Sequence, residues 1–328
     1  MSVLVTGGAG YIGSHAVLDL LEAGEEVVVI DNLTTGFDWA IDKRAKFYKG
    51  DIADDVLVPQ LMREHQVEAV IHFAGSIIVP ESVADPLKYY LNNTAKSRSL
   101  IDISVQAGVK HFIFSSTAAV YGMPDVSPVN EDVVLQPMSP YGVSKLMTEW
   151  MLRDVAAAHP MTYTALRYFN VAGGDPKGRV GQSTANATHL IKVACQTALG
   201  QRSHIEIFGN DYPTPDGTCI RDYIHVSDLV AAHTAALNYL RAGGASLVAN
   251  CGYGHGFSVR EVLGAVERVA GHPFEVRHGP RRPGDPASVV SDPARIKAVL
   301  GWTPQLDDLD QIVAHAYAWE AMLMQKKL

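Results

Sequence analysis

The first apolar run of the chain, Val3 to Thr6, breaks directly into Gly7-Gly8-Ala9-Gly10-Tyr11-Ile12-Gly13, and apolar residues at helical spacing follow at Ile12, Ala16, Val17, Leu20 and Leu21. Gly7, Gly10 and Gly13 give the spacing G-x-x-G-x-x-G, and Gly8 adds the reading G-x-G-x-x-G. Few folds accommodate a strand that turns so abruptly into a helix. Glycine permits the tight turn and lets the helix lie against the strand, while the unpaired amides at the helix N-terminus face any anion placed there. Such a turn alone need only serve close packing. With strand, turn and helix in this order, it predicts a dinucleotide pyrophosphate on the helix N-terminus.

The pattern then repeats. Val3–Thr6, Glu26–Asp31, Lys46–Lys49, Ala69–Phe73, His111–Ser115 and Tyr163–Arg167 read as short β-branched runs without polar alternation, which predicts strands covered on both faces in a parallel sheet. Helices are predicted between them over Ile12–Ala23, Asp54–His65, Leu87–Ala107 and Tyr141–Ala158, so the fold class is a doubly wound α/β sheet. After Asn170 the sequence becomes rich in glycine, proline and loops. We therefore expect a cofactor domain over residues 1–172 and a smaller α/β domain over 173–328, with about 224–246 packing back onto the first. Asp175–Gln182 and Asn210–Gly217 are expected to be irregular.

Composition narrows the class. A chain of 328 residues buries a core large enough to fold without staples, and a net charge of -8 offers no footprint for nucleic acid or an anionic membrane. Cys195, Cys219 and Cys251 are scattered and odd in number, which suits reduced thiols in a cytoplasmic protein. The thirteen histidines include no H-E-x-x-H or similar grouping, so no metal site is expected. The apolar run at Val3 is too short for a signal peptide or a spanning helix.

Asp31 ends the second predicted strand, where a carboxylate accepts hydrogen bonds from a ribose diol and repels a 2′-phosphate. Asn32-Leu33-Thr34-Thr35-Gly36 then supplies no arginine or lysine, so NAD is expected rather than NADP. Asp51 can reach the adenine or cap its own loop. His72-Phe73-Ala74-Gly75 follows the fourth strand, where ligands of open α/β sheets lie. Further on, Tyr141 and Lys145 stand one helical turn apart, so the ammonium can favour the phenolate. Such a tyrosine is a base; the pair alone is also an ordinary helix-surface pattern.

Together with Ser115-Ser116-Thr117, Arg167-Tyr168-Phe169-Asn170 and the stretch from Phe208-Gly209-Asn210-Asp211 to Arg221-Asp222-Tyr223, these residues resemble the extended short-chain dehydrogenase/reductase family, most closely its nucleotide-sugar epimerases. The resemblance runs from residue 2 to about residue 320. It implies a Rossmann-type cofactor domain, a UDP-sugar-binding domain and a homodimer. The implied activity is an NAD-dependent interconversion of UDP-glucose and UDP-galactose through a 4-keto sugar. Tyr141 would be the catalytic base, tuned by Lys145, with Thr117 bridging to substrate. Cofactor contacts would come from Gly7, Gly10, Tyr11, Ile12, Gly13, Asp31, Asn32, Asp51, Ile52, Phe73, Ala74, Asn92, Ser115, Tyr141, Lys145 and Tyr168. The UDP-sugar would meet Thr117, Tyr141, Asn170, His189, Arg221, Arg282 and Asp285.

The chain departs from that pattern twice. Ile77 stands where a cofactor-contacting lysine is expected, and Val289 where some members carry a tyrosine that crowds the sugar 2-substituent. The smaller side chain leaves room for an N-acetyl group. Dehydratases and decarboxylases of this fold need a further acid/base beside Thr117; Ala118 and Ala119 offer none. UDP-xylose/UDP-arabinose and UDP-glucuronate 4-epimerases remain as alternatives. A redox-silent NAD-binding sensor is the alternative of another class.

Overall fold

The computed structural model describes residues 1–185, 187–282 and 284–326. Its strands are β1 (Ser2–Thr6), β2 (Glu26–Asp31), β3 (Lys46–Lys49), β4 (Val67–His72), β5 (His111–Thr117), β6 (Thr162–Tyr168), β7 (Asn170–Ala172), β8 (Ile205–Phe208), β9 (Ile220–Arg221), β10 (Tyr223–His225), β11 (Leu247–Cys251), β12 (Phe257–Ser258), β13 (Val276–Gly279) and β14 (Ser288–Val289). The α-helices are α1 (Tyr11–Glu22), α2 (Leu57–Glu64), α3 (Val79–Ala84), α4 (Pro86–Tyr89), α5 (Lys96–Gln106), α6 (Pro140–Ala158), α7 (Leu190–Ala198), α8 (Val226–Arg241), α9 (Val259–Ala270), α10 (Ala294–Leu300) and α11 (Leu309–Lys326).

A seven-stranded parallel sheet in the order β3-β2-β1-β4-β5-β6-β11 forms the frame. Apart from the edge strand β3, whose Lys46–Lys49 is mostly exposed against the expectation, its strands are buried on both faces because both faces are covered. Leu4, Val28, Ile30, Val70, Phe112 and Phe114 face Leu61, Leu100 and Leu152 from α2, α5 and α6. Val3, Val5, Val29, Ala69, Ile71 and Ile113 face Val17, Leu20, Ala236 and Leu237 from α1 and α8. Burying each such side chain stabilises the sheet by roughly 1.5–3 kcal/mol, so alternate residues of one strand hold opposite layers in place. The chain winds outward one way through β2 and β3, then the other way through β5 and β6. That reversal leaves a crevice beyond the ends of β1 and β4, where the Phe73 amide donates to the Thr6 carbonyl at 3.1 Å.

Several expectations shift in detail. The helix predicted from Asp54 starts at Leu57, because the Asp54 carboxylate accepts from the amides of Val56 and Leu57 at 3.0 and 2.8 Å and so acts as a cap. The segment predicted as one helix over Leu87–Ala107 contains a π-helical stretch at Tyr90–Ala95 between α4 and α5. The returning segment reaches beyond residue 246. After α8 packs on α1, β11 pairs in parallel with β6 and completes the large sheet.

The remainder builds a smaller layer around Ile191, Ala194, Val262, Val266, Ile312 and Val313. Three short sheets edge it, β10-β7, β12-β9-β14 and β13-β8. Ser258 and Glu261 form a reciprocal capping box at the start of α9, and Gly271, with φ 76°, ends that helix. The consecutive strands β9 and β10 belong to different sheets. Between them the Asp222 carbonyl accepts from the Asn170 amide at 3.0 Å, bringing Arg221 beside the C-terminal end of β6.

Candidate active site

The glycine-rich turn is built as the crevice requires. Gly7 adopts φ 71°, and a methyl there would lie 2.7 Å from the Ala74 amide nitrogen, so a side chain would push β1 and β4 apart. At Gly13 a methyl would overlap the Gly7 carbonyl. A methyl at Gly10, by contrast, would meet only the Gly7 carbonyl oxygen, at 3.3 Å, leaving that side of the turn open. Above it begin the first-turn amides of α1, with no acidic side chain among them. Such a cradle fits an anion. Asp31 is buried beside it, with its carboxylate accepting from the amides of Ala9 and Leu33 at 3.0 and 2.8 Å. Each oxygen retains a free lone pair, so the residues present fit the ribose and pyrophosphate of NAD.

Other expected cofactor residues divide by what they touch. The Tyr11 hydroxyl donates to the Gly173 carbonyl at 2.8 Å, so its side chain ties the turn to the smaller layer and only its backbone is free for a phosphate. Asn32 caps its loop by accepting from Thr34. Asp51 accepts from the Ala53 amide and pairs with Lys96 at 2.5 Å, combining loop-capping with an ion pair. Ile52 is buried, while Ile77 is half exposed at the rim. Phe73 packs on His233 with ring centroids 4.8 Å apart. Asn92 donates to the Ser76 hydroxyl at 3.0 Å. Its neighbour Asn93, which the sequence did not single out, is the buried member: it accepts from the Ser76 amide at 2.8 Å and donates to the Ser76 carbonyl at 2.9 Å, shaping the Gly75-Ser76 loop.

Helix α6 starts at a favourable cap, with the Ser139 hydroxyl accepting from the Gly142 amide at 3.2 Å and Pro140 in the first turn. This cap sets Tyr141 and Lys145 against the end of β5. The Lys145 ammonium is buried and donates to the Ser115 carbonyl at 2.9 Å, lying 4.9 Å from the Phe114 ring centroid. Burial lowers it to about 8. Burial also raises the Tyr141 phenol above its ordinary value, opposed by its hydrogen bond with Thr117. Thr117 in turn accepts from the Ala119 amide at 3.1 Å, and the Ser115 hydroxyl is bonded to Tyr168.

The expected substrate residues fall on two adjoining walls. Asn170 and His189 line a pocket together with Gln182, Lys192 and Trp319. Gln182 is hydrogen-bonded to His189 at 2.8 Å. On the second wall Arg221 is paired with Asp285, and the Arg282 guanidinium lies 3.8 Å from the centre of the Phe208 ring. Val289 stands directly across from Arg221 in the β14–β9 pairing. Among the described residues no group of three His, Cys, Asp or Glu could hold a metal, and no helix is long and apolar enough to cross a membrane.

Comparison with known proteins gives a consistent result. Residues 3–252 match the NAD dependent epimerase/dehydratase family. A UDP-glucose 4-epimerase of Azospirillum brasilense is 56% identical over 98% of this chain and 93% of its own. The crystal structure of the Brucella ovis UDP-glucose 4-epimerase in complex with NAD superposes with a TM-score of 0.95 at 44% identity, covering 97% of each chain. That of the UDP-Glc/GlcNAc 4-epimerase from Campylobacter jejuni does so at 0.87 and 47%, covering 98% of this chain and 99% of the other.

Proposed function

The chain belongs to the NAD dependent epimerase/dehydratase family, and from that membership we propose that it interconverts UDP-glucose and UDP-galactose by oxidation and re-reduction at C4 of the sugar. The observation that carries the reading is the meeting of Tyr141, Lys145 and Thr117 at the end of β5, beside the glycine-rich turn. Gly7, Gly10, Gly13 and Asp31 would hold NAD, which when bound would supply the hydride acceptor and donor for C4 of the sugar.

The protein's own part is proton management and grip. Tyr141 takes the proton from the 4-hydroxyl and later returns one, acting as base and then as acid. Thr117 shares that hydrogen bond and aligns the hydroxyl. Lys145, held by the Ser115 carbonyl, favours the phenolate that burial alone would disfavour. Arg221, Arg282, Asp285, Asn170 and His189 grip the UDP, while the sugar is held loosely enough to present either face. Affinity placed on the nucleotide leaves that rotation free.

Ala118 and Ala119 lie in a 3₁₀ turn capped by Thr117 and carry no proton donor, which disfavours elimination at C5 or C6. A redox-silent sensor has no need of the buried Tyr141–Lys145 pair. We also infer turnover of UDP-N-acetylglucosamine, because Val289 faces Arg221 without the bulk of a tyrosine. A homodimer is supported by exposed Val83, Leu87, Leu91 and Trp150 along α3, α4, the π-helical stretch and α6. Three free, buried cysteines support a cytoplasmic location. Incubation of the purified protein with a panel of UDP-sugars, without added NAD, followed by chromatography of the epimers, tests the function. Light scattering tests the dimer.

A further inference from the structure

Tyr141 and Lys145 are followed one turn later on the same face of α6 by Glu149, which is buried in the core. Its carboxylate accepts from the Ser116 hydroxyl at 2.5 Å and from Arg167 Nε and Nη2 at 3.0 and 2.6 Å. Two successive residues of β5 are thereby stitched to two successive turns of α6: Ser115 to Lys145 and Ser116 to Glu149. The network continues outward. Arg167 Nη1 donates to the Tyr121 hydroxyl at 3.0 Å, which donates to Asn250 Oδ1 at 2.7 Å. Asn250 Nδ2 donates to the Val129 carbonyl at 2.8 Å, and the Val129 amide donates to the Val290 carbonyl at 2.8 Å. Val290 follows Val289, the residue across from Arg221 on the substrate wall.

A buried ion pair is a poor source of stability, because apolar residues of the same volume generally do as well or better. A fully satisfied polar chain does, however, admit only one geometry. We propose that Glu149, Arg167 and Tyr121 are positioning residues that fix the helix bearing the base relative to the strand bearing the sugar wall. The proposal rests on the reading of Tyr141 as the base.

Tyr121→Phe is the discriminating variant, since it removes one hydroxyl while the ring can keep its place 5.1 Å from the Arg167 guanidinium. The holoenzyme should lose kcat by about 10- to 100-fold, the scale of a small misplacement of reacting groups. Bound NADH should appear more slowly by the same factor at 340 nm in a single turnover. Affinity for UDP by calorimetry and NAD content should stay near those of the unmodified enzyme, and the thermal midpoint should fall by only a few degrees, the effect of leaving Asn250 Oδ1 and Arg167 Nη1 without that hydroxyl. Unchanged kcat, or a loss matched by equal losses in UDP affinity and thermal midpoint, would overturn the positioning role. If Glu149→Gln also folds, it should show the same split between kcat and UDP affinity; if it does not fold, Tyr121→Phe alone decides. Failure of the underlying reading looks different: Tyr141→Phe would retain full activity.

Discussion

The Lys145 ammonium donates to the Ser115 carbonyl across 2.9 Å, a single hydrogen bond holding a buried cation. Burial lowers this lysine from 10.5 to about 8. Between those two values the unfolded chain binds more protons than the folded one, so stability rises with pH across that window and the cost of the buried charge is complete below it. Lys145→Met should therefore stabilise the NAD-free protein at pH 7 by up to about 3 kcal/mol, seen as a higher thermal midpoint, while losing most of its activity. Its remaining kcat should need a pH higher by about one unit or more, because on the proposed function Lys145 favours the Tyr141 phenolate. Calorimetric melting and a kcat–pH profile check both.

On the proposed function, Thr117 acts through its hydroxyl. Thr117→Ser should keep activity within a few-fold, whereas Thr117→Val, equal in shape, should lower kcat by about 10- to 100-fold, the scale of one hydrogen bond at a reacting proton. Steady-state kinetics with UDP-glucose separate the two.

Gly13→Ala places a methyl against the Gly7 carbonyl at the centre of the cofactor turn. The purified variant should carry little NAD, seen as a lowered ratio of absorbance at 260 to 280 nm and little nucleotide released by acid. Gly24→Ala, by contrast, meets open space but has φ 86°. It should cost about 1 kcal/mol of stability and leave NAD content intact.

On the proposed function, Arg221 grips the nucleotide and does not act at C4. Arg221→Ala should weaken UDP binding about 10- to 100-fold through loss of a charge-assisted hydrogen bond, with kcat at saturation changed far less. Calorimetry with UDP and kinetics with UDP-glucose give the two numbers.

Much of this was legible in the sequence because local rules and the global fold agree. Gly7 to Gly13 lie between a strand and a helix, and six of the seven strands in the large sheet read directly from short β-branched or aromatic runs. Leu247–Asn250 also reads as a strand, but its partner β6 is distant in sequence and no local pattern names it. In the loop-rich half Val226–Ala242 and Ser258–Gly271 read as helices and match α8 and α9, whereas α7, α10 and α11 are not predicted. Asn93 could not be told from Asn92 by composition. Only the π-helical turn decides which of the two points inward. Glu149 was the more recoverable omission, since the spacing that links Tyr141 to Lys145 repeats once more to reach it. Arg167 and Tyr121 join it only through pairing of β5 with β6, which spacing along the chain does not report.

The central claim is that the hydrogen removed from C4 stays within the protein and returns to the same carbon. UDP-glucose deuterated at C4, converted in ordinary water without added NAD, tests this directly. The account predicts UDP-galactose that retains deuterium at C4, with no free NADH in solution. Loss of the label to solvent, or NADH released in proportion to substrate consumed, would contradict it.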